Sequence, residues 1–318
     1  MKVLFVSSGN AKNGINPIVQ NQGQSLIDQG ITTDYFTIKG KGLISYANHI
    51  FRLRSYLKKN KYTIIHAHYG FCGIVSFLAK RKEKIVVSFM GSDLIGIVNH
   101  KGKMSLLGLL ESVINKVFAK FFFDYNIVKS NNLKRALFRN TESQIIPNGI
   151  NFTKFYPIEK ACARKELNIS KEMKIVLFPA NPKRPEKNFK LAENAVKLFS
   201  DSNVALKVVY DISQELLNMY YNAADVILLT SFHEGSPNVI KEALACNCVI
   251  VSTDVGDVRQ NMQNIEGCFI CSLDPKDVAG KLSMAFNFEN FTGRKIITNL
   301  SSDLIALKII NIYNHILD

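Results

Sequence analysis

Short apolar runs alternate with longer stretches whose apolar positions recur at helical spacing. Lys2–Val6, Thr33–Ile38, Thr63–Ala67, Ile85–Phe89 and Tyr125–Val128 read as buried strands. Further on, Ile175–Phe178, Ala205–Tyr210, Val226–Leu229, Val249–Ser252 and Cys268–Ile270 repeat the pattern. Continuous apolar runs of this length suit strands covered on both faces. Between them the spacing predicts helices over Pro17–Gln29, ended by Gly30, over Ile44–Lys59, from about Phe189, and over Asp303–Leu317. Alternation of this kind predicts parallel sheets with helices on both sides.

A turn signal interrupts the second half of the pattern. Pro147-Asn148-Gly149 lies in a linker-like passage running from Ile146 to Pro157. It divides the chain into a first domain over 1–150 and a second over 151–302, with 303–318 an amphipathic helix able to cross back to the first. At 318 residues the chain suits two domains. Its apolar content of 47% fits a well-packed globular protein. No apolar run reaches the length of a membrane span, and the opening MKVLFVSSGN reads as a strand rather than a signal peptide. The expected location is cytoplasmic.

Charge changes the picture by its distribution. Residues 1–150 carry 21 lysines and arginines against 7 acidic residues, a net of +14, while 151–318 carry 19 of each. An excess confined to one half suits an anionic partner for that half: a membrane surface, a phosphorylated acceptor or nucleic acid. Phe51–Lys59 mixes basic and apolar residues, as a helix lying on anionic lipid would. Met104–Phe123, strongly apolar with Lys116 and Lys120, is a second candidate for such contact, but the favoured expectation for it is an ordinary helix facing the core.

Candidate chemistry concentrates in Ser231–Val251, SFHEGSPNVIKEALACNCVIV. Ser236 stands where an N-cap is wanted and Pro237 at the first helical position. A helix start offers N–H groups to an anion, and Gly235 lets a ligand approach the backbone. Glu234 precedes the helix and can accept from sugar hydroxyls, while Glu242 lies inside it. Upstream, the strand Ile175–Phe178 leads into a loop carrying Lys183, Arg184 and Lys187, which is a phosphate-binding layout.

The string Glu-Gly-Ser-Pro-Asn, then Glu-Ala-Leu-Ala and a β-branched strand, resembles the E-x7-E donor signature of family 4 glycosyltransferases. The resemblance covers most of the chain and is strongest from Pro147 to Asp257. It implies the GT-B fold, two Rossmann-like parallel-sheet domains facing each other across a cleft, and a retaining enzyme. It implies that Glu234 contacts the donor sugar and Glu242 the ribose. The backbone of Gly235, Ser236, Pro237 and Asn238 would hold sugar and phosphate, with Arg184 and Lys187 on the pyrophosphate. The Pro147-Asn148-Gly149 turn resembles the family's interdomain hinge, with Asn151 where Asp is usual. Ala180-Asn181 replace the usual Gly-Arg, leaving Lys183 as an alternative phosphate partner. Ala205–Asp225 is short beside the family, which leaves the base unspecified.

The first domain adds three features. The loop from Ser7 to Pro17 is small and polar and is not G-x-G-x-x-G, so it does not suggest a dinucleotide site. By resemblance it lies near the donor phosphate, with Gly14 permitting close approach. His66 and His68 share one strand face, and His68 is expected to be structural or to contact substrate. Asp93 follows a strand and is expected to bind acceptor hydroxyls; Met90 stands where relatives often have a His. The close pairs Cys246/Cys248 and Cys268/Cys271 read as small buried hydrophobes rather than zinc ligands.

These readings converge on transfer of a hexosyl unit from a nucleotide-diphosphate sugar to a hydroxyl acceptor, with retention, in cell-surface polysaccharide or glycolipid synthesis. The expected partners are the nucleotide sugar, a lipid-linked saccharide acceptor and an anionic membrane surface, without nucleic acid, cofactor or metal. The rival readings are a nucleotide-sugar epimerase on the same fold and a non-enzymatic basic protein that binds membrane or nucleic acid.

Overall fold

A computed structural model describes every residue except 12, 13, 41, 100, 200–202, 264, 289 and 290; the side chain of residue 43 is also outside the description. The chain divides into two compact units. The first comprises 1–97, 104–149 and 302–318, and the second 98–103 and 150–301. The change of unit between Gly149 and Ile150 follows the Pro-Asn-Gly turn. Residues 98–103 leave the first unit to join the second, an excursion that the hydropathy pattern does not announce.

The first unit contains β1 (Lys2–Ser8), α1 (Pro17–Asp28), β2 (Thr32–Ile38), α2 (Leu43–Lys59), β3 (Ile64–His68) and α3 (Gly70–Ala79). It continues with β4 (Lys84–Ser88), α4 (Ser92–Ile95), α5 (Leu106–Phe121), β5 (Tyr125–Val128), α6 (Asn131–Ala136) and β6 (Ser143–Ile145). The strands form one sheet in the order β2-β1-β3-β4-β5-β6, all parallel. Strand alternation feeds two cores. Leu4, Val6, Ile65, Ala67, Ile85 and Val87 join one cluster with Leu53, Val75 and Ala119. Val3, Phe5, Ile64, Val86 and Ile127 join the other with Val19 and Leu26. The short edge strand β6 was not expected, because Ser143-Gln144-Ile145 has too few apolar residues to stand out.

The second unit contains α7 (Lys160–Glu166), β7 (Lys174–Phe178), α8 (Phe189–Val196), β8 (Val204–Val208), α9 (Gln214–Ala223), β9 (Val226–Leu229) and α10 (Asn238–Ala245). It ends with β10 (Ile250–Thr253), α11 (Val258–Met262), β11 (Cys268–Cys271) and α12 (Pro275–Phe286). Its parallel sheet runs β11-β10-β9-β7-β8. Helix α13 (Ser302–His315) then belongs to the first unit, where Ile305, Ile309, Ile312 and Tyr313 are buried beside Phe5 and Ile127.

Helix α5 overturns the expectation of an ordinary core-facing helix. It buries Gly108, Ser112, Asn115 and Ala119 and turns most of its large apolar side chains to solvent. The buried face is held by polar bonds as well as packing. Ser112 Oγ donates to the Leu94 carbonyl at 2.5 Å, and Asn115 Nδ2 donates to the Asp93 carbonyl at 2.9 Å. Small residues let the helix lie close to its neighbours: a Cβ on Gly70 would meet the Asn115 side chain at 2.4 Å.

Candidate active site

In the second unit, the two segments singled out in the sequence are stitched together. After β7 the chain turns through a single 3₁₀ turn, Pro185–Lys187, and Asn188 takes a left-handed conformation before α8. After β9 comes the turn carrying Glu234. The Phe232 N–H donates to the Glu186 carbonyl at 2.9 Å. Thr230 Oγ1 donates to the carbonyls of Lys187 and Asn188 at 3.0 and 3.1 Å. Lys187 Nζ donates to Glu234 Oε1 at 2.5 Å, and Ser231 Oγ donates to the same oxygen at 2.8 Å. Both bonds fall on Oε1, which leaves Oε2 for a ligand hydroxyl. An ammonium has three donors, so Lys187 also keeps capacity for phosphate oxygens.

Arg184 is arranged differently from Lys187. Its Nε donates to Glu186 Oε1 at 2.7 Å, and the side chain is 59% exposed. Burial pushes the Glu186 carboxyl up, but the Arg184 guanidinium and Lys187 outweigh it and hold it below the usual range. His233 lies in the electrostatic reach of Arg184, Glu186, Lys187 and Glu234, and burial lowers its imidazole. Its Nε2 is buried without a hydrogen-bond partner among the described residues.

Past Gly235 the helix start differs by one residue from the expected one. Pro237 is the N-cap, at φ −67° and ψ 117°, and α10 begins at Asn238. Ser236 does not cap the helix. Its hydroxyl donates to Asp257 Oδ2 at 2.6 Å and accepts from Lys241 Nζ, all three side chains being buried. Lys241 points inward because α10 is enclosed from Ile240 to Ala245. Burial lowers its ammonium, and Asp257 works against that shift. Gly256, at φ +60°, packs on the turn: a Cβ there would lie 2.8 Å from the Gly235 carbonyl oxygen and 3.1 Å from that of Glu234.

Glu242 is buried and accepts from the Tyr221 hydroxyl at 2.7 Å through Oε2. Burial raises its carboxyl to about 7, against the opposing effects of Tyr221 and Lys241. Glu234 and Glu242 therefore have different surroundings. One is balanced by a lysine; the other sits on a buried phenol.

The candidates of the first unit are held within it. Asp93 is fully buried, and its carboxylate accepts from the backbone N–H groups of Gly70, Met90 and Gly91 at 2.8 to 3.1 Å. The expectation that it binds acceptor hydroxyls meets a carboxylate committed to a turn; burial raises it to about 6. His66 and His68 do share a face and stack at 4.5 Å. His66 is bonded to the Tyr313 hydroxyl at 2.6 Å and the Ser88 hydroxyl at 2.8 Å. Both ring nitrogens of His68 are buried without partners among the described residues, and burial lowers it to about 3, so it is neutral at pH 7. Gly14 has φ +80° in a turn closed by its N–H to the Ala11 carbonyl, with open space where a Cβ would stand. Residues 12 and 13 of that loop lie outside the described residues. Among the described residues no group of three or more His, Cys, Asp or Glu is arranged to hold a metal. Burial pushes the thiols of Cys248, Cys268 and Cys271 up to about 12, as expected for inert core cysteines.

Sequence reasoning missed Thr230, Ser231, Tyr221, Lys241, Gly256 and Asp257. Thr230-Ser231 at a strand end was a usable signal. The pairing of Lys241 with Asp257 across a strand had none.

Two family models match this chain. Glycosyltransferase Family 4 matches residues 13–154, and Glycosyl transferases group 1 matches residues 163–287, the stretch that holds Arg184, Lys187, Glu234 and Glu242. Between them the two models cover both halves of the chain, which thus carries a family 4 and a group 1 glycosyltransferase domain. Among its relatives is a D-inositol 3-phosphate glycosyltransferase of Thermobispora bispora, 22% identical over 76% of this chain and 66% of the relative. Another is the UDP-Gal:alpha-D-GlcNAc-diphosphoundecaprenol alpha-1,3-galactosyltransferase of Escherichia coli, 24% identical over 86% of this chain and 77% of the relative. The chain spans 63 to 66% of the length of the first three inositol-phosphate relatives it matches. The fold is similar to that of sucrose-phosphate synthase from Thermosynechococcus elongatus, with a TM-score of 0.85 and 18% identity, covering 100% of this chain and 99% of the other. That similarity identifies the architecture of both units as GT-B.

Proposed function

We propose that this protein transfers a hexosyl unit from a nucleoside-diphosphate sugar to a hydroxyl acceptor, with retention at the anomeric carbon. The observation that carries the reading is the joining of the Lys187 loop to the Glu234 turn, with Lys187 and Glu234 in contact. A cation for the diphosphate and a carboxylate for the sugar thus stand side by side, as the bond between sugar and phosphate requires. Lys187, assisted by Arg184 and the start of α10, stabilises charge growing on the leaving diphosphate. Glu234 holds a hydroxyl of the departing sugar, and Glu242 a hydroxyl of the ribose. The anomeric carbon breaks its bond to phosphate oxygen and forms one to the acceptor oxygen on the same face. The acceptor proton passes to the leaving phosphate, so no protein base is needed.

The Escherichia coli relative is named for a nucleotide-linked galactose donor and a diphosphoundecaprenol-linked acceptor. We take a lipid-linked saccharide as the acceptor class here too, within cell-surface polysaccharide or glycolipid synthesis.

Calorimetry with uridine, guanosine and adenosine diphosphates tests the donor site. At least one should bind. Lys187→Ala should weaken it by roughly ten- to a hundredfold, the loss of one charge-assisted contact. Glu234→Gln should leave that affinity nearly intact, since the amide oxygen can still accept from Lys187, while lowering kcat for transfer, because on the donor it touches only the part that changes during reaction. Failure of all three nucleotides to bind would overturn the reading.

A further inference from the structure

The outer face of α5 is built for a surface that the chain itself does not supply. Leu106, Leu110, Val113 and Phe121 recur at i, i+4, i+7 and i+15, which puts them on one side of the helix. Leu107 and Ile114 widen that side. Leu106 is 74% exposed, Leu107 79%, Leu110 51% and Phe121 69%. Met104 and Phe122 extend the exposed apolar surface beyond the helix ends. An isolated exposed leucine needs no explanation, but a contiguous patch on one helix does. Folding does not account for it, since the buried side is made of small and polar residues held by Ser112 and Asn115.

We propose that this face of α5 lies in the headgroup region of an anionic bilayer. Charge selects the occupant. Lys116 and Lys120 border the apolar stripe along one edge at i and i+4. Lys120 Nζ also donates to the carbonyls of Arg139 and Asn140, bringing Arg139 to the far end of the helix. The half of the sequence that contains α5 carries the whole net charge of +14. A second copy docking here by two-fold symmetry would set this basic fringe against itself. Anionic headgroups would neutralise it while the leucines enter the acyl boundary. No described helix is long and apolar enough to cross the membrane, so the contact is interfacial. The inference rests on α5 and not on the transferase reading.

Vesicle flotation with the full chain tests it, using phosphatidylcholine alone and an equal mixture with phosphatidylglycerol. The protein should float with the mixed vesicles at low salt, and far less with phosphatidylcholine or at high salt. Leu107→Glu/Leu110→Glu should cut partitioning by about tenfold or more without lowering the melting temperature, because both side chains are already in solvent. Lys116→Gln should weaken binding to mixed vesicles and flatten its salt dependence. Equal flotation of the leucine variant and the parent would overturn the proposal. So would absence of flotation by the parent, or a parent dimer by light scattering that the leucine variant abolishes.

Discussion

Glu242 is a carboxylate in a place where folding alone would favour an uncharged group. Its nearest hydrogen-bonding neighbour is the buried Tyr221 hydroxyl, and burial raises it to about 7. A carboxyl raised in the folded state gives stability that is fully present below its unfolded value and is lost as pH rises through the folded one. For Glu242 that window runs from the ordinary glutamate value of 4.5 to about 7. Glutamine can still accept from Tyr221 and has no proton to lose. Glu242→Gln should therefore melt higher than the parent at pH 8, by up to the order of 3 kcal/mol, with the difference closing towards pH 4.5. Nucleotide affinity should move the opposite way. Melting curves across pH, with and without nucleoside diphosphate, check both; a variant less stable at pH 8 would mean that the carboxylate is a structural anchor. Asp93 is the contrasting case: also buried, but given backbone donors from Gly70, Met90 and Gly91.

Elements position these residues by close contacts that spacing does not reveal. The loop between β10 and α11 brings Gly256 against the Glu234-Gly235 backbone, at a φ that disfavours any side chain. Gly256→Ala should push the turn away from Lys187 and lower kcat/KM by roughly ten- to a hundredfold, with the Lys187→Ala phenotype partly mimicked. Steady-state kinetics of the alanine variant beside the parent decide this, and unchanged kcat/KM would show that the turn tolerates the shift. The strands were legible because a doubly covered parallel sheet demands continuous apolar runs; Tyr125–Val128 and Val226–Leu229 were read at their observed limits. The Glu234 turn and Lys187 loop were legible as local strings, while their joining through Thr230 and Phe232 depends on which strands are neighbours. Helix α5 was misread because apolar periodicity gives the width of a stripe but not which way it faces. Gly108, Ser112, Asn115 and Ala119 look like the solvent side on composition and are the buried one.

At the scale of the whole molecule, the two units depend differently on the order of the chain. The second is nearly continuous, 150–301, apart from the short segment 98–103. The first is closed by α13, whose Ile305, Ile309, Ile312 and Tyr313 complete the core over Phe5 and Ile127 and whose Tyr313 bonds His66. Removing 302–318 should expose that sheet face at a cost of several kcal/mol. Hydrogen exchange should then show lost protection in β1, β3 and α1 and retained protection in β7, β9 and β10. Uniform loss across both units would mean that they fold as one. The Pro147-Asn148-Gly149 turn was visible in the sequence, whereas nothing in the apolar pattern marks 98–103 for the second unit.

The return of α13 also sets a timetable. On the ribosome, residues 1–149 emerge first, yet the partner of Phe5 and His66 arrives only with Tyr313. At roughly 5–20 residues per second, that wait lasts on the order of ten to thirty seconds. Throughout it, one face of the first sheet is covered only in part, by α1, and the second unit has all its strands before the first has all its core. The earlier-made half is thus the later to finish, and during that interval it is the half that a chaperone would have to shield.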